Sequence, residues 1–193
     1  MVTQATARSL VGLLHDLTDD ELLRLTSSDN RPGLKNFLAG CSMVRTYFAT
    51  TYDQSLGLMK LIKRAVGSAN LRNINPDITP KRFPLAGKDV RRVSLWVEPY
   101  LDSETSEHAA ARLTAAGYIL ADAGALAGFL YDHPEEVARW GWVLAISEGS
   151  RWTIPGGSVY VPCADVRGAY RFFDLGDFRR QLNSGYGVLV ASE

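Results

Sequence analysis

The chain has 193 residues, long enough to bury a core, and its 46% hydrophobic and 22% charged content excludes the sparse hydrophobicity and high net charge of a disordered segment. Twenty-one Lys and Arg balance 21 Asp and Glu, for a formal net charge of zero. The whole molecule therefore exerts no strong pull on polyanions or membranes, and no run approaches the roughly 20 apolar residues of a membrane span.

Residues 3–39 read as short helices. Leu10, Leu13, Leu14 and Leu17 form one apolar stripe at helical spacing. Thr18-Asp19-Asp20-Glu21 is a capping box that restarts a helix carrying Leu22, Leu23 and Leu25. Asp29 to Gly33 breaks the chain, and Pro32 opens a third helix with Leu34, Phe37 and Leu38, ended by Gly40. Residues 1–40 are thus expected to be a helical arm and 41–193 a single α+β domain.

In that domain, residues 43–52 are rich in β-branched and aromatic side chains and read as a strand. Residues 54–66 return to helical spacing through Leu58, Leu61, Ile62 and Val66. From Gly67 to Gly87 the chain is loop-like, broken by Pro76, Pro80 and Pro84; so long an irregular connection is ordered for a reason. A second strand is expected at 90–98. Ser103 or Thr105 then caps a helix ending at Gly117, Asp122 caps another, and His133-Pro134 starts a further turn. Strands at 142–147, 158–163, 169–175 and 186–191, separated by Gly-containing turns, close the chain. The expected fold is α+β, a mainly antiparallel sheet ending in a meander, with helices on one face.

Much of the chain from about residue 45 resembles an uncharacterised family of bacterial hypothetical proteins. The resemblance rests on Tyr52-Asp53-Gln54-Ser55-Leu56, Asp77-Ile78-Thr79, Phe83-Pro84, Ala116-Gly117-Tyr118, Leu126-Ala127-Gly128-Phe129, His133-Pro134-Glu135, Val143-Leu144-Ala145-Ile146, Ser150-Arg151-Trp152, Val161-Pro162 and Gly187-Val188-Leu189-Val190-Ala191. It implies a shape without a chemistry. Residues 90–193 also resemble, in element order, the C-type-lectin-like arrangement, in which the closing strand pairs with the opening one. The chain lacks the paired disulfide cysteines of the sugar-binding members. Glu98-Pro99-Tyr100 is not their calcium motif, so calcium-dependent sugar binding is not carried over.

Charge is unevenly distributed. Lys60, Lys63, Arg64, Arg72, Lys81, Arg82, Lys88, Arg91 and Arg92 crowd one segment, and eight acids with the lone Arg112 occupy residues 98–136. The basic segment reads either as a phosphate-binding patch for nucleic acid or as a solvated face; self-association of opposite charges is a third reading. His15, His108 and His133 show no metal-ligand spacing, so no metal and no cofactor are expected. Asp132-His133-Pro134-Glu135-Glu136 could hold a general acid and base, but it also reads as a helix start. Cys41 and Cys163 read as free, core cysteines, because residues 1–21 lack a basic stretch before an apolar run and the expected compartment is cytoplasmic.

Trp96 and Trp142 read as core and Trp152 as exposed. Arg151, Trp152, Tyr160, Arg171, Phe178, Arg179 and Arg180 form a candidate binding surface at the loop edge of the closing strands, since aromatic and Arg residues anchor interfaces. The leading expectation is a non-enzymatic binding module for a protein partner or a second copy of itself. A nucleic-acid-associated protein using residues 60–92 and an enzyme centred on His133 are the alternatives.

Overall fold

The computed structural model of the protein describes residues 46–191. The chain divides into two units, residues 1–46 and 47–193. The expected helical arm, with His15 and Cys41, lies outside the described residues, as does the start of the first expected strand.

The second unit is α+β. Strand β1 spans Phe48–Asp53 and is followed, after a single 3-10 turn, by helix α1, Leu58–Val66. Strand β2 is Val90–Pro99 and the two-residue strand β3 is Glu104–Thr105. Helix α2, Ser106–Ala115, strand β4, Ile119–Leu120, helix α3, Ala123–Asp132, and the short helix α4, Pro134–Val137, come next. The remaining strands are β5, Val143–Leu144, β6, Trp152–Thr153, β7, Val159–Arg167, β8, Tyr170–Asp177, β9, Gln181–Leu182, and β10, Gly187–Ala191. No helix among the described residues is long and apolar enough to cross a membrane.

Local chemistry explains the helix ends. Thr105 Oγ1 accepts the His108 amide at 3.3 Å and Asp122 Oδ1 accepts the Ala125 amide at 2.7 Å, each satisfying an N-terminal donor with no intrahelical partner. Gly117, at φ +82°, ends the turn after α2, where Tyr118 N–H donates to Leu113 O at 3.0 Å. In α1, Leu58, Leu61, Ile62, Ala65 and Val66 are buried while Lys60, Lys63 and Arg64 face solvent, the spacing of one apolar stripe.

The main sheet runs β1-β2-β10-β5-β7-β6, with β4 beside β10 and β8 on the far side of β7. All pairings are antiparallel except β10 with β5. The closing strands are therefore not a simple meander: β7 and β8 form a hairpin, but β10 inserts between β2 and β5. Val188 to Ala191 are all buried, the run expected of a strand covered on both faces.

That burial also overturns the expectation of helices on one face. Alternate residues of the central strands point to opposite cores. Leu95, Leu189 and Ala164 pack with α1 and α3, whereas Trp96, Val188, Val190 and Val161 pack with α2. Helix α3 is buried from Ala123 through Leu130 because it lies between the sheet and α1. Its Gly128 is the close-approach point, where a Cβ would stand 3.0 Å from both Thr50 Cγ2 and Tyr52 Cβ.

Two edge strands, β8 and β1, have backbone groups on their open sides partnered by other segments. Along β8, Asn75 N–H donates to Phe173 O at 2.9 Å and Asn73 Nδ2 donates to Arg171 O at 3.2 Å. The long connection between α1 and β2 thus has a structural task. Along β1, Thr51 N–H donates to Asp132 Oδ2 at 3.2 Å and His133 Nε2 lies 3.0 Å from Ala49 O. Unpaired edge groups invite pairing with other chains, and these four contacts reduce that invitation along β1 and β8.

Candidate functional site

Strands β6, β7 and β8 meet in a row of facing residues. Trp152 pairs with Tyr160, and Tyr160 pairs with Asp177. The two rings lie 6.2 Å apart and tilted. Just past Asp177 the chain turns: Arg179 N–H donates to Asp177 Oδ1 at 2.8 Å, and Arg180 N–H donates to Asp177 O at 3.2 Å. Arg151 reaches the same turn, its guanidinium 4.6 Å from the centre of the Phe178 ring while Nε and Nη2 both donate to Ile146 O at 3.3 Å. The structure thus brings Arg151, Trp152, Tyr160, Phe178, Arg179 and Arg180 to one end of the sheet. Trp152 is half-buried there, not exposed. Arg171 is elsewhere: at the start of β8 it faces Val166, and its Nη1 donates to Ala65 O at 2.8 Å, tying the end of α1 to the sheet.

Beside this row lies a cleft of about 350 Å³. Leu144, Cys163 and Gly176 form its floor, Trp142, Tyr160 and Tyr186 supply aromatic walls, and Asp174, Asp177 and Arg180 are its charged groups. The floor is low because position 176 has no side chain. A Cβ there would come within 3.4 Å of Leu144 Cδ2 and 3.8 Å of Cys163 Sγ. Cys163 is buried in β7, and burial, followed by the Asp174 and Asp165 charges, pushes its thiol well above the ordinary range. It is a neutral floor atom, not a thiolate nucleophile. Asp174, Gly176 and Tyr186 were not singled out from the sequence. Gly176 lies one residue beyond the strand expected at 169–175, whereas β8 runs to Asp177; inside a strand, an isolated glycine marks close approach of a ligand or a second backbone.

The His133 cluster is occupied structurally. Asp132 and His133 hold the outer edge of β1, with the His133 ring 5.0 Å from Phe48 and 5.4 Å from Phe129. Nε2 must carry the proton to donate to the Ala49 carbonyl. Glu135 is exposed, its Oε1 4.0 Å from His133 Nδ1. Pro134 occupies the first turn of α4 and Glu136 pairs with Arg139 at 3.0 Å.

The basic segment is spread over several elements. Lys60, Lys63 and Arg64 line the exposed side of α1, and Arg64 stacks 4.0 Å over Tyr131. Lys81 and Arg82 belong to the long connection, where Arg82 pairs with Asp77 and lies over Trp152. They border an open recess of about 620 Å³ with Trp152. Arg91 and Arg92 are consecutive in β2 and so point to opposite faces. Among the described residues no ion pair joins this segment to the acidic one. Arg112 instead makes a two-pronged contact with buried Glu104, both bonds at 2.8 Å.

A third hollow, about 330 Å³, lies at the start of α3 between Tyr52, Arg91 and Asp122 over an apolar floor. Burial and then the Asp122 charge push the Tyr52 hydroxyl up to about 12, with Arg91 opposing. It therefore stays protonated at neutral pH. Among the described residues no group of three or more His, Cys, Asp and Glu side chains could hold a metal ion.

Fold and site together define an α+β protein with helices on both faces of its sheet and a mixed polar and aromatic cleft at the β7–β8 end. No protein-family profile matches the chain, and no curated protein or solved structure is detectably similar to it.

Proposed function

We propose that this protein is a binding module whose recognition site is the cleft between Trp142, Tyr160 and Tyr186, with Arg151, Trp152, Arg179 and Arg180 forming the adjoining rim. One observation carries the reading: Asp174, Asp177 and Arg180 line, together with Trp142, Tyr160 and Tyr186, a hollow of about 350 Å³. A concave, largely apolar site with few convergent polar groups is the usual form of a ligand pocket. The rim residues match the composition of interaction hot spots. The pairing of β10 with β2 supports reading residues 90–193 as arranged like a C-type-lectin-like domain.

The test is a chemically mixed set of small anions, cations, neutral aromatics and saccharides, mapped on the full chain by amide chemical shifts. The reading expects binders to shift Cys163, Asp174 and Gly176 and to compete with one another. It is abandoned if every binder maps elsewhere, or if none of the set touches the cleft.

A further inference from the structure

We propose that the cleft binds an organic cation, an ammonium or guanidinium on a short apolar stem, whether a free amine or a Lys or Arg side chain of another protein. The inference rests on the reading of the cleft as the binding site and adds the charge of what enters it.

Two acidic residues, Asp174 and Asp177, and one basic residue, Arg180, line the cleft, leaving one negative charge in excess. None of the three takes part in an ion pair among the described residues. Each carboxylate is held by one oxygen only. Asp174 Oδ1 accepts Asn75 Nδ2 at 2.6 Å and Leu175 N–H at 2.7 Å, and Asp177 Oδ1 accepts Arg179 N–H at 2.8 Å. Among the described residues the second oxygen of each accepts no hydrogen bond, so both are oriented in advance, which lowers the ordering cost of binding.

The walls favour the same sign. The faces of Trp142, Tyr160 and Tyr186 carry the negative end of the ring quadrupole and attract cations. Trp142 already does so: the Arg167 guanidinium lies 5.6 Å from its ring, with its charge balanced by Asp165 at 2.5 Å. Cys163 adds no opposing charge. An anion would find only Arg180 and would be repelled by the two carboxylates.

The probes are agmatine and butylamine, with butyrate and butanol as matched anionic and neutral controls, titrated into the full chain. Both cations are expected to shift the Cys163 and Gly176 amides and to bind about tenfold or more tightly than the controls. Asp174→Asn keeps the Oδ1 contacts to Asn75 and Leu175 and removes only the free carboxylate oxygen. Asp174→Asn and Asp177→Asn should each weaken agmatine about tenfold, whereas Arg180→Ala should tighten it by about threefold through loss of a like charge.

An acetyl-Ala-Arg-Ala-amide peptide separates the two sources. Tighter binding than agmatine assigns a basic side chain of a protein, and weaker binding assigns a free amine. If butyrate binds as well as agmatine at the cleft, or both Asn variants leave agmatine unaffected, the charge assignment is overturned while the cleft remains a binding site. If neither these probes nor any other small molecule perturbs the cleft, both readings fall.

Discussion

The guanidinium of Arg82 lies 4.0 Å from the centre of the Trp152 ring, while its Nη1 donates to Asp77 O at 3.0 Å. This contact fastens the long connection before β2 to the outermost strand beside the proposed rim, and it holds Trp152 half-buried. A double-mutant cycle with Arg82→Ala and Trp152→Ala should give a coupling energy of about 1 kcal/mol in denaturant unfolding. Strict additivity of the two variants would show that the stack contributes nothing.

The edge of β1 should depend on two side chains from the end of α3. Asp132→Ala removes the acceptor for Thr51 N–H and should cost about 1 kcal/mol. Hydrogen exchange at Thr51 should accelerate more than exchange at Val93 in β2. An equal change at both amides would mean that Asp132 acts on global stability and not on the edge. His133→Ala frees the Ala49 carbonyl and should add concentration-dependent association, read by sedimentation.

The Glu104–Arg112 pair sets an acid limit. Burial alone would raise the Glu104 carboxyl, but Arg112 and the Leu101 N–H donating to it at 2.9 Å hold it below the ordinary value. A carboxyl depressed in the folded state contributes stability that is fully present above its unfolded pKa. That contribution is lost as pH falls through the folded value. Unfolding free energy should therefore decline below the usual carboxylate range near pH 4, and this part of the decline should vanish in Glu104→Gln. That variant should also cost about 2 kcal/mol at neutral pH, less than a fully enclosed pair because the Arg112 side chain is 33% exposed. An acid profile unchanged in Glu104→Gln would place the acid sensitivity elsewhere.

Two strand glycines should respond differently to the same substitution. At Gly187 a Cβ would stand 2.1 Å from Val97 Cγ1 and 3.3 Å from the Trp140 ring, so Gly187→Ala should cost about 2–3 kcal/mol through overpacking. At Gly176 the nearest atom is 3.4 Å away across the cleft, and Gly176→Ala should stay within about 1 kcal/mol of the parent. Thermal unfolding of the two variants side by side decides it; similar losses would contradict the open floor at 176.

Much of the local structure was legible. The spacing of Leu58, Leu61, Ile62 and Val66 marked α1, and Thr105 and Asp122 cap the helices as their chemistry dictates. The α+β class and the mainly antiparallel sheet followed from such elements. What stayed hidden depends on partners distant in sequence. Arg171 looks like a surface anchor until its bond to the Ala65 carbonyl, 106 residues away, is seen. The 186–191 segment read as a strand, but its burial on both faces and its parallel pairing with β5 did not show, so the expected meander and one-sided helix layer were wrong. The two-residue strands β3, β4 and β9 are too short for any period to show. In the candidate site, Trp152, Tyr160 and Arg180 were read from residue type alone. Asp174 and Gly176 become meaningful only when β8 lies in register beside β7, Cys163 facing Asp174 and Val161 facing Gly176.

The most direct measurement is the affinity of the tightest cleft-mapping compound for the parent chain and for Gly176→Leu, whose side chain would project over Leu144 and Cys163. The account predicts that binding falls by about tenfold or more while the variant retains a cooperative unfolding transition, with Gly176→Ala intermediate. Unchanged affinity in a folded Gly176→Leu protein would contradict the cleft as the recognition site.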